Sequence, residues 1–145
     1  MYRKILIPLD NSPTDEAILE HIRPLARMTG ADLVLVHVAD GFVARLQDQL
    51  NLADSEEIKK DQDYLDARSE ELAREGFRVK AILAQGKEPV DGILNVAQAE
   101  NCDLIALATH GHRFVQDVIL GSVAESLRHR TDIPVLMIRA KAKPD

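Results

Sequence analysis

Three short stretches carry most of the residue types that could do chemistry: Pro8-Leu9-Asp10, His37-Val38-Ala39-Asp40 and Thr109-His110-Gly111-His112. The last continues through Arg113 to Gly121-Ser122, with nine residues between Gly111 and Gly121. Ser122-Val123-Ala124-Glu125 has the form of a capping box, so the sequence predicts a helix that starts at Ser122, with Gly121 immediately before it. A helix start presents unsatisfied N–H groups and partial positive charge. Glycine beside it lets an anion reach the backbone with no Cβ in the way. Gly111, Gly121 and Ser122 therefore suit a polyphosphate cradle, filled out by Arg113. Ordinary turn chemistry explains the same spacing, and Asp10 reads equally well as a cap for the helix that follows it.

Other constellations are weaker. His110 and His112 lack the cysteines or further histidines of a zinc site, so contact with phosphate or solvent is the better reading. Ser122 with His110 lacks the Gly-x-Ser-x-Gly elbow of a hydrolase. Cys102 has no basic neighbour along the chain and reads as a buried, inert thiol.

The elements that must position these residues alternate along the chain. Five aliphatic runs read as strands: Lys4 to Pro8, Leu33 to Val38, Arg78 to Leu83, Leu104 to Ala108 and Val135 to Ile138. Most are continuously apolar, as strands covered on both faces are. The third alternates at its start and the fifth is bounded by charge, which marks both as edge strands.

Helical periodicity fills the gaps. Ile18, Ile22 and Leu25 share a face of the first helix, which opens with Ser12 as N-cap, Pro13 at N1 and Asp15 at N3. Pro24 inside it predicts a kink or an early end. The second helix runs from about Ser55 to Glu75, with Ile58, Leu65 and Leu72 one heptad apart and Gly76 as its stop. The third spans about Pro89 to Glu100, with Val90, Ile93, Leu94 and Ala97 inward. The fourth runs to about Arg130, with Val123 and Leu127 inward. Gly41 to Asp54 reads as an irregular excursion.

The order βαβαβαβαβ implies one α/β domain, an open five-stranded parallel sheet with helices on both faces. In such sheets a ligand binds beyond the carboxyl ends of the strands, where the strand order reverses.

Composition sets outer bounds. Eighteen basic against 24 acidic residues give a net charge of -6 over 145 residues, which disfavours a nucleic-acid-binding surface. A single cysteine excludes an intrachain disulfide and suggests an intracellular protein. The apolar runs fall far short of the roughly 20 residues that span a bilayer, and the run after Arg3-Lys4 stops at Pro8, too soon for a signal peptide. Cytoplasmic location, with no membrane partner, is the expectation. A receiver domain would need an aspartate where the third strand ends Leu83-Ala84-Gln85, and a dinucleotide-binding domain would need Gly-x-Gly-x-x-Gly after the first strand. Neither is present.

Taken in order, Lys4 to Asp10, Leu35 to Val38, Ala108-Thr109-His110-Gly111, Leu120 to Glu125 and Ile133 to Ile138 resemble the universal stress protein family over nearly the whole chain. The resemblance implies a Rossmann-like domain of the adenine nucleotide alpha hydrolase type over residues 1–140, with a short tail at 141–145. The family's nucleotide-binding branch carries Gly-x2-Gly-x9-Gly-Ser/Thr. Its later positions fall on Gly111, Gly121 and Ser122, while its first glycine is replaced by Ala108. By the same resemblance Pro8, Leu9, Asp10, Val38, Ala108, His110, Gly111, His112, Arg113, Gly121, Ser122 and Val123 would line a site for ATP, ADP or AMP. Val38 would meet adenine through its backbone, and Asp10 would lie near ribose or a phosphate-bound Mg²⁺. The resemblance also implies a homodimer through the last strand, using Ile133, Val135, Leu136, Met137 and Ile138. The function so implied is a homodimeric ATP-binding module in stress adaptation. A slow Mg-dependent ATPase and a nucleotide-free dimerisation module are the alternatives.

Overall fold

The computed structural model describes residues 1–39, 52–85, 88–109 and 117–140. Its elements are β1 (Lys4–Pro8), α1 (Thr14–Thr29), β2 (Asp32–Ala39), α2 (Leu52–Arg74), β3 (Val79–Gln85), α3 (Pro89–Ala99), β4 (Leu104–Thr109), α4 (Asp117–Arg130) and β5 (Val135–Arg139). All strand pairings are parallel, in the order β3-β2-β1-β4-β5. The two strands marked by alternation and flanking charge do lie at the edges.

Because strand side chains point alternately to opposite faces, each strand feeds two cores. Ile5, Ile7, Leu33, Leu35, Leu104 and Ala106 meet Ile18, Ile22, Leu65 and Leu72 of α1 and α2. Leu6, Val34, Val36, Ile105 and Leu107 meet Val90, Ile93, Ala97, Val123 and Leu127 of α3 and α4 on the other face. Ile5 to Ile7 and Leu33 to Val36 are at most 1% exposed, which accounts for their unbroken apolar sequence.

Strands β2 to β5 differ from the expected runs by one or two residues, and four helix boundaries differ with a physical reason. Helix α1 passes through Pro24 and ends in the left-handed Gly30, whose N–H donates to the Ala26 carbonyl at 2.8 Å. Pro24 and Glu20 are both exposed, so water can satisfy the Glu20 carbonyl that proline leaves without a donor. At the front of α1 the capping position is Pro13, while the Ser12 hydroxyl accepts from the Thr14 N–H at 3.3 Å. Helix α2 begins at Leu52, so residues 52–54 are helical and not part of the irregular excursion. Helix α4 begins at Asp117. Gly121 and Ser122 therefore lie within it, and Ser122 is not its cap. The capping-box signal was local, whereas α4 gains from burying Val123, Ala124 and Leu127 against the sheet.

Candidate functional site

The strand order reverses between β1 and β4, because β2 and β3 lie on one side of β1 while β4 and β5 lie on the other. The carboxyl ends of β1, β2 and β4 consequently meet at one edge, the place where a parallel α/β sheet opens a crevice. Pro8-Leu9-Asp10, Val38-Ala39 and Ala108-Thr109 all end there. His110, Gly111, His112 and Arg113 fall outside the described residues, as does Asp40.

Each described residue has a definite setting. Leu9 is 3% exposed, and its N–H donates to the Val36 carbonyl at 2.8 Å, which stitches the end of β1 to β2. Asp10 is half-buried and opens the turn into α1, and Asn11 after it is left-handed at φ 60°. Val38 is half-buried on the α3 face, packed on Gly92. A Cβ at Gly92 would lie 2.8 and 2.9 Å from the two Val38 methyls, so the absence of a side chain lets α3 approach the end of β2. Ala108 is 3% exposed, faces the α1 and α2 core, and pairs with Ile138. Its backbone is that of a strand; among the described residues the non-glycine positions with positive φ are Asn11 and Asn101. Alanine in place of glycine is thus sterically compatible here. Val123 is 3% exposed and belongs to the opposite core.

The sequence reading missed the groups that hold this edge in shape. Asp15, 2% exposed, turns back over the β1–α1 turn. Its Oδ1 accepts from the Asp10 N–H at 3.1 Å and its Oδ2 from the Asn11 N–H at 2.9 Å. The Tyr64 hydroxyl of α2 donates to the same Oδ2. Burial raises the Asp15 carboxyl to about 6; the Tyr64 hydrogen bond opposes the shift and the neighbouring Asp10 charge adds to it. Burial and the Asp15 contact likewise push the Tyr64 phenol up.

Arg68 donates from Nε to the Tyr64 oxygen at 3.3 Å and pairs with Glu16 at 2.9 Å and Glu71 at 3.3 Å. Arg23 pairs with Glu16, Glu71 and Glu75, so two arginines and three glutamates join α1 to α2. Burial would raise Glu16, but hydrogen bonds from Arg23 and Arg68 outweigh it and hold the carboxyl below its usual range.

A second bridge runs through His37. Its Nδ1 lies 2.8 Å from the Leu9 carbonyl, which can only accept, so Nδ1 carries the proton. Its Nε2 faces the Asp61 carboxylate of α2 at 3.3 Å, an ion pair when the ring is doubly protonated. No sequence motif connects Asp15 with Tyr64, 49 positions away. The usable clue was an acid at N3 of a helix entered from a chemically active turn.

The Asp10 and Asn11 N–H groups are therefore occupied within the turn. Cys102, by contrast, lies before β4 at the other end of the sheet, where burial pushes its thiol up to about 11. The expectation of an inert thiol agrees with that setting.

The sequence profile of the universal stress protein family matches residues 1–139. The chain belongs to the universal stress protein family. Universal stress protein MJ0577 of Methanocaldococcus jannaschii is 29% identical to it over 161 aligned residues, covering 97% of each chain. The solved structure of MJ0577 superposes with a TM-score of 0.83 over 99% of each chain. The universal stress protein fold also recurs at lower identity. An Archaeoglobus fulgidus member solved in complex with dAMP is 22% identical, with a TM-score of 0.69 over 94% of this chain and 98% of that one. A member in complex with cAMP is 18% identical, with a TM-score of 0.68 over 97% and 99%. Among the described residues, no helix of this universal stress protein is long and apolar enough to cross a membrane.

Proposed function

We propose that this universal stress protein binds an adenine nucleotide, with ATP as the first choice, where the strand order reverses, and that it acts as a homodimeric module in cytoplasmic stress adaptation. The observation that carries the reading is the convergence of Pro8-Leu9-Asp10, Val38-Ala39 and Ala108-Thr109 at the β1–β4 switch point. Members of the fold in complex with dAMP and cAMP support an adenylate as the ligand class.

In this reading the backbone at Val38 meets the base and the Asp10 carboxylate meets ribose. His110, Gly111, His112, Arg113, Gly121 and Ser122 supply the phosphate side. Gly121 and Ser122 lie in the second turn of α4, where the helix uses their N–H groups, so their part in this reading is the absent Cβ of one and the hydroxyl of the other. Among the described residues no group of three or more His, Cys, Asp or Glu could hold a metal by itself. Mg²⁺ fits here as a hard cation brought in by phosphate oxygens and completed by one carboxylate, that of Asp10.

The dimer uses β5, an edge strand with β4 as its neighbour. Met137 is 44% exposed, while Val135, Leu136 and Ile138 are partly buried, so an apolar strand edge is open for pairing with a second copy. Met137→Lys should then convert dimer to monomer in light scattering while keeping its circular dichroism spectrum.

Two measurements test the nucleotide reading: mass spectrometry of small molecules released from the purified protein by heat, and calorimetric titration of the stripped protein with Mg-ATP. A released adenylate, or saturable heat, is the expected result. Stripped protein that gives no heat at millimolar Mg-ATP overturns the reading in favour of a nucleotide-free dimerisation module.

A further inference from the structure

The turn that presents Asp10 is held by Asp15 of α1 and His37 of β2, and each of these is braced by a group from α2. Asp15 gathers the Asp10 and Asn11 N–H groups, and Tyr64 of α2 holds Asp15. His37 binds the Leu9 carbonyl, and Asp61 of α2 faces the other side of its ring. Asp61, Tyr64 and Arg68 recur at three and four residues, so they share one face of α2. Leu65 and Leu72, both 0% exposed, press the same helix onto the sheet. Two independent bridges thus run from one helix face to three consecutive backbone positions, Leu9, Asp10 and Asn11, and neither requires α2 itself to touch a ligand.

We infer that Tyr64 and Asp61 are positioning residues of the nucleotide site. Acting through Asp15 and His37, they set the backbone of Leu9 to Asn11, so that nucleotide binding at the turn and docking of α2 on the sheet form one coupled equilibrium. This rests on the nucleotide reading above. Coupling of this kind is reciprocal: nucleotide tightens the hold on α2, and a loosened α2 weakens nucleotide binding by the same factor.

Tyr64→Phe is the sharpest probe, since it removes one hydroxyl and keeps the ring that packs beside the core. Its Mg-ATP affinity should fall about fivefold or more, the lower end of typical coupling. In hydrogen exchange without nucleotide, the Asp10 and Asn11 amides should exchange about tenfold faster while those of β2 keep their protection. Asp61→Ala, which removes the group facing His37 Nε2, should weaken affinity in the same direction through the His37 bridge. Leu72→Val, which loosens α2 from the core, should also weaken affinity, whereas Val96→Ala on α3, against the opposite face of the sheet, is the control and should leave affinity unchanged.

Tyr64→Phe with wild-type affinity and wild-type protection of Asp10 and Asn11 overturns the coupling alone. So does Val96→Ala if it weakens affinity as much as Tyr64→Phe, because general destabilisation would then explain both. Wild-type protein that takes up no Mg-ATP overturns the nucleotide reading and the coupling together.

Discussion

The two ends of the sheet use the same device to different effect. At the amino end the Asp103 carboxylate accepts from the Arg3 N–H at 2.9 and 3.1 Å and from the Lys4 N–H at 3.0 Å. It thereby fastens the start of β1 to the segment entering β4. At the carboxyl end Asp15 accepts from two consecutive N–H groups in the same manner but is 2% exposed, and it is held in turn by a tyrosine from another helix. A carboxylate that collects backbone donors near water closes a strand locally. The same carboxylate taken out of water becomes costly to ionise and makes a turn dependent on a distant element. The amino end is thus secured within the sheet, while the carboxyl end, where the proposed nucleotide site lies, is secured through α2.

The largest expected effect contrasts the two acids directly. Asp15→Ala leaves two backbone donors and the Tyr64 hydroxyl, all in part-buried hydrogen bonds, without their acceptor and should cost about 2–3 kcal/mol in chemical denaturation. Asp103→Ala leaves donors that water can reach and should cost about 1 kcal/mol. Equal losses would erase the distinction.

Next comes pH. The folded Asp15 carboxyl is raised to about 6 from its ordinary 3.8, so the folded state holds the proton more tightly than the unfolded chain. Its contribution is fully present below the unfolded value and is lost as pH rises through 6. Wild type should therefore gain stability relative to Asp15→Asn as pH falls from 7 to 4, by about 2 kcal/mol. Glu16, held below its usual range, has the opposite sign: its contribution is present above the unfolded value and is lost on acidification. Denaturation midpoints of wild type and Asp15→Asn across that range decide the matter, and a constant difference contradicts the burial of Asp15.

A smaller effect tests how tightly the carboxyl end is packed. Gly92→Ala would place a Cβ 2.8 Å from a Val38 methyl and should cost about 1–2 kcal/mol despite alanine's better helix propensity. In a Val38→Ala background the clash is gone, and the same substitution should stabilise by up to about 1 kcal/mol. The reversal of sign in thermal melts is the observation to make. The smallest effect belongs to the amino end. The Arg78 side chain is 80% exposed where it pairs with Asp32, so Arg78→Ala should shift stability by less than about 0.5 kcal/mol.

Much of this architecture was legible from residue order. Unbroken aliphatic runs marked the central strands, and the run Lys4 to Pro8 coincides with β1 because both its ends carry chemical signals, a charge and a proline. The edge strands announced themselves through Arg78, Lys80 and the charges around Val135 to Ile138. Ser122-Val123-Ala124-Glu125 misled because a capping box is a four-residue signal, and α4 takes its extent from a face buried over longer range. Pro24 does not end α1, because its cost falls on a carbonyl that solvent reaches. Within the site, Pro8, Leu9, Asp10, Val38 and Ala108 could be placed at strand ends by counting. The bridges from Asp15 to Tyr64 and from His37 to Asp61 could not, because they depend on how α2 lies across the sheet, which no local pattern encodes.

The strand order also bears on how the chain is made. β1 is central, yet it leaves the ribosome before both of its neighbours, which arrive at very different times. β2 follows within some thirty residues, so the β3-β2-β1 half can close early. The other side of β1 waits for Leu104 and Ile105, about 100 residues later, which at 5–20 residues per second is roughly 5–20 s of synthesis. Through that interval the nascent protein carries an open strand edge flanked by Ile5, Leu6 and Ile7, residues that end 0% exposed. Pulse-labelling of arrested nascent chains should find the β1–β2 amides protected before β4 has emerged.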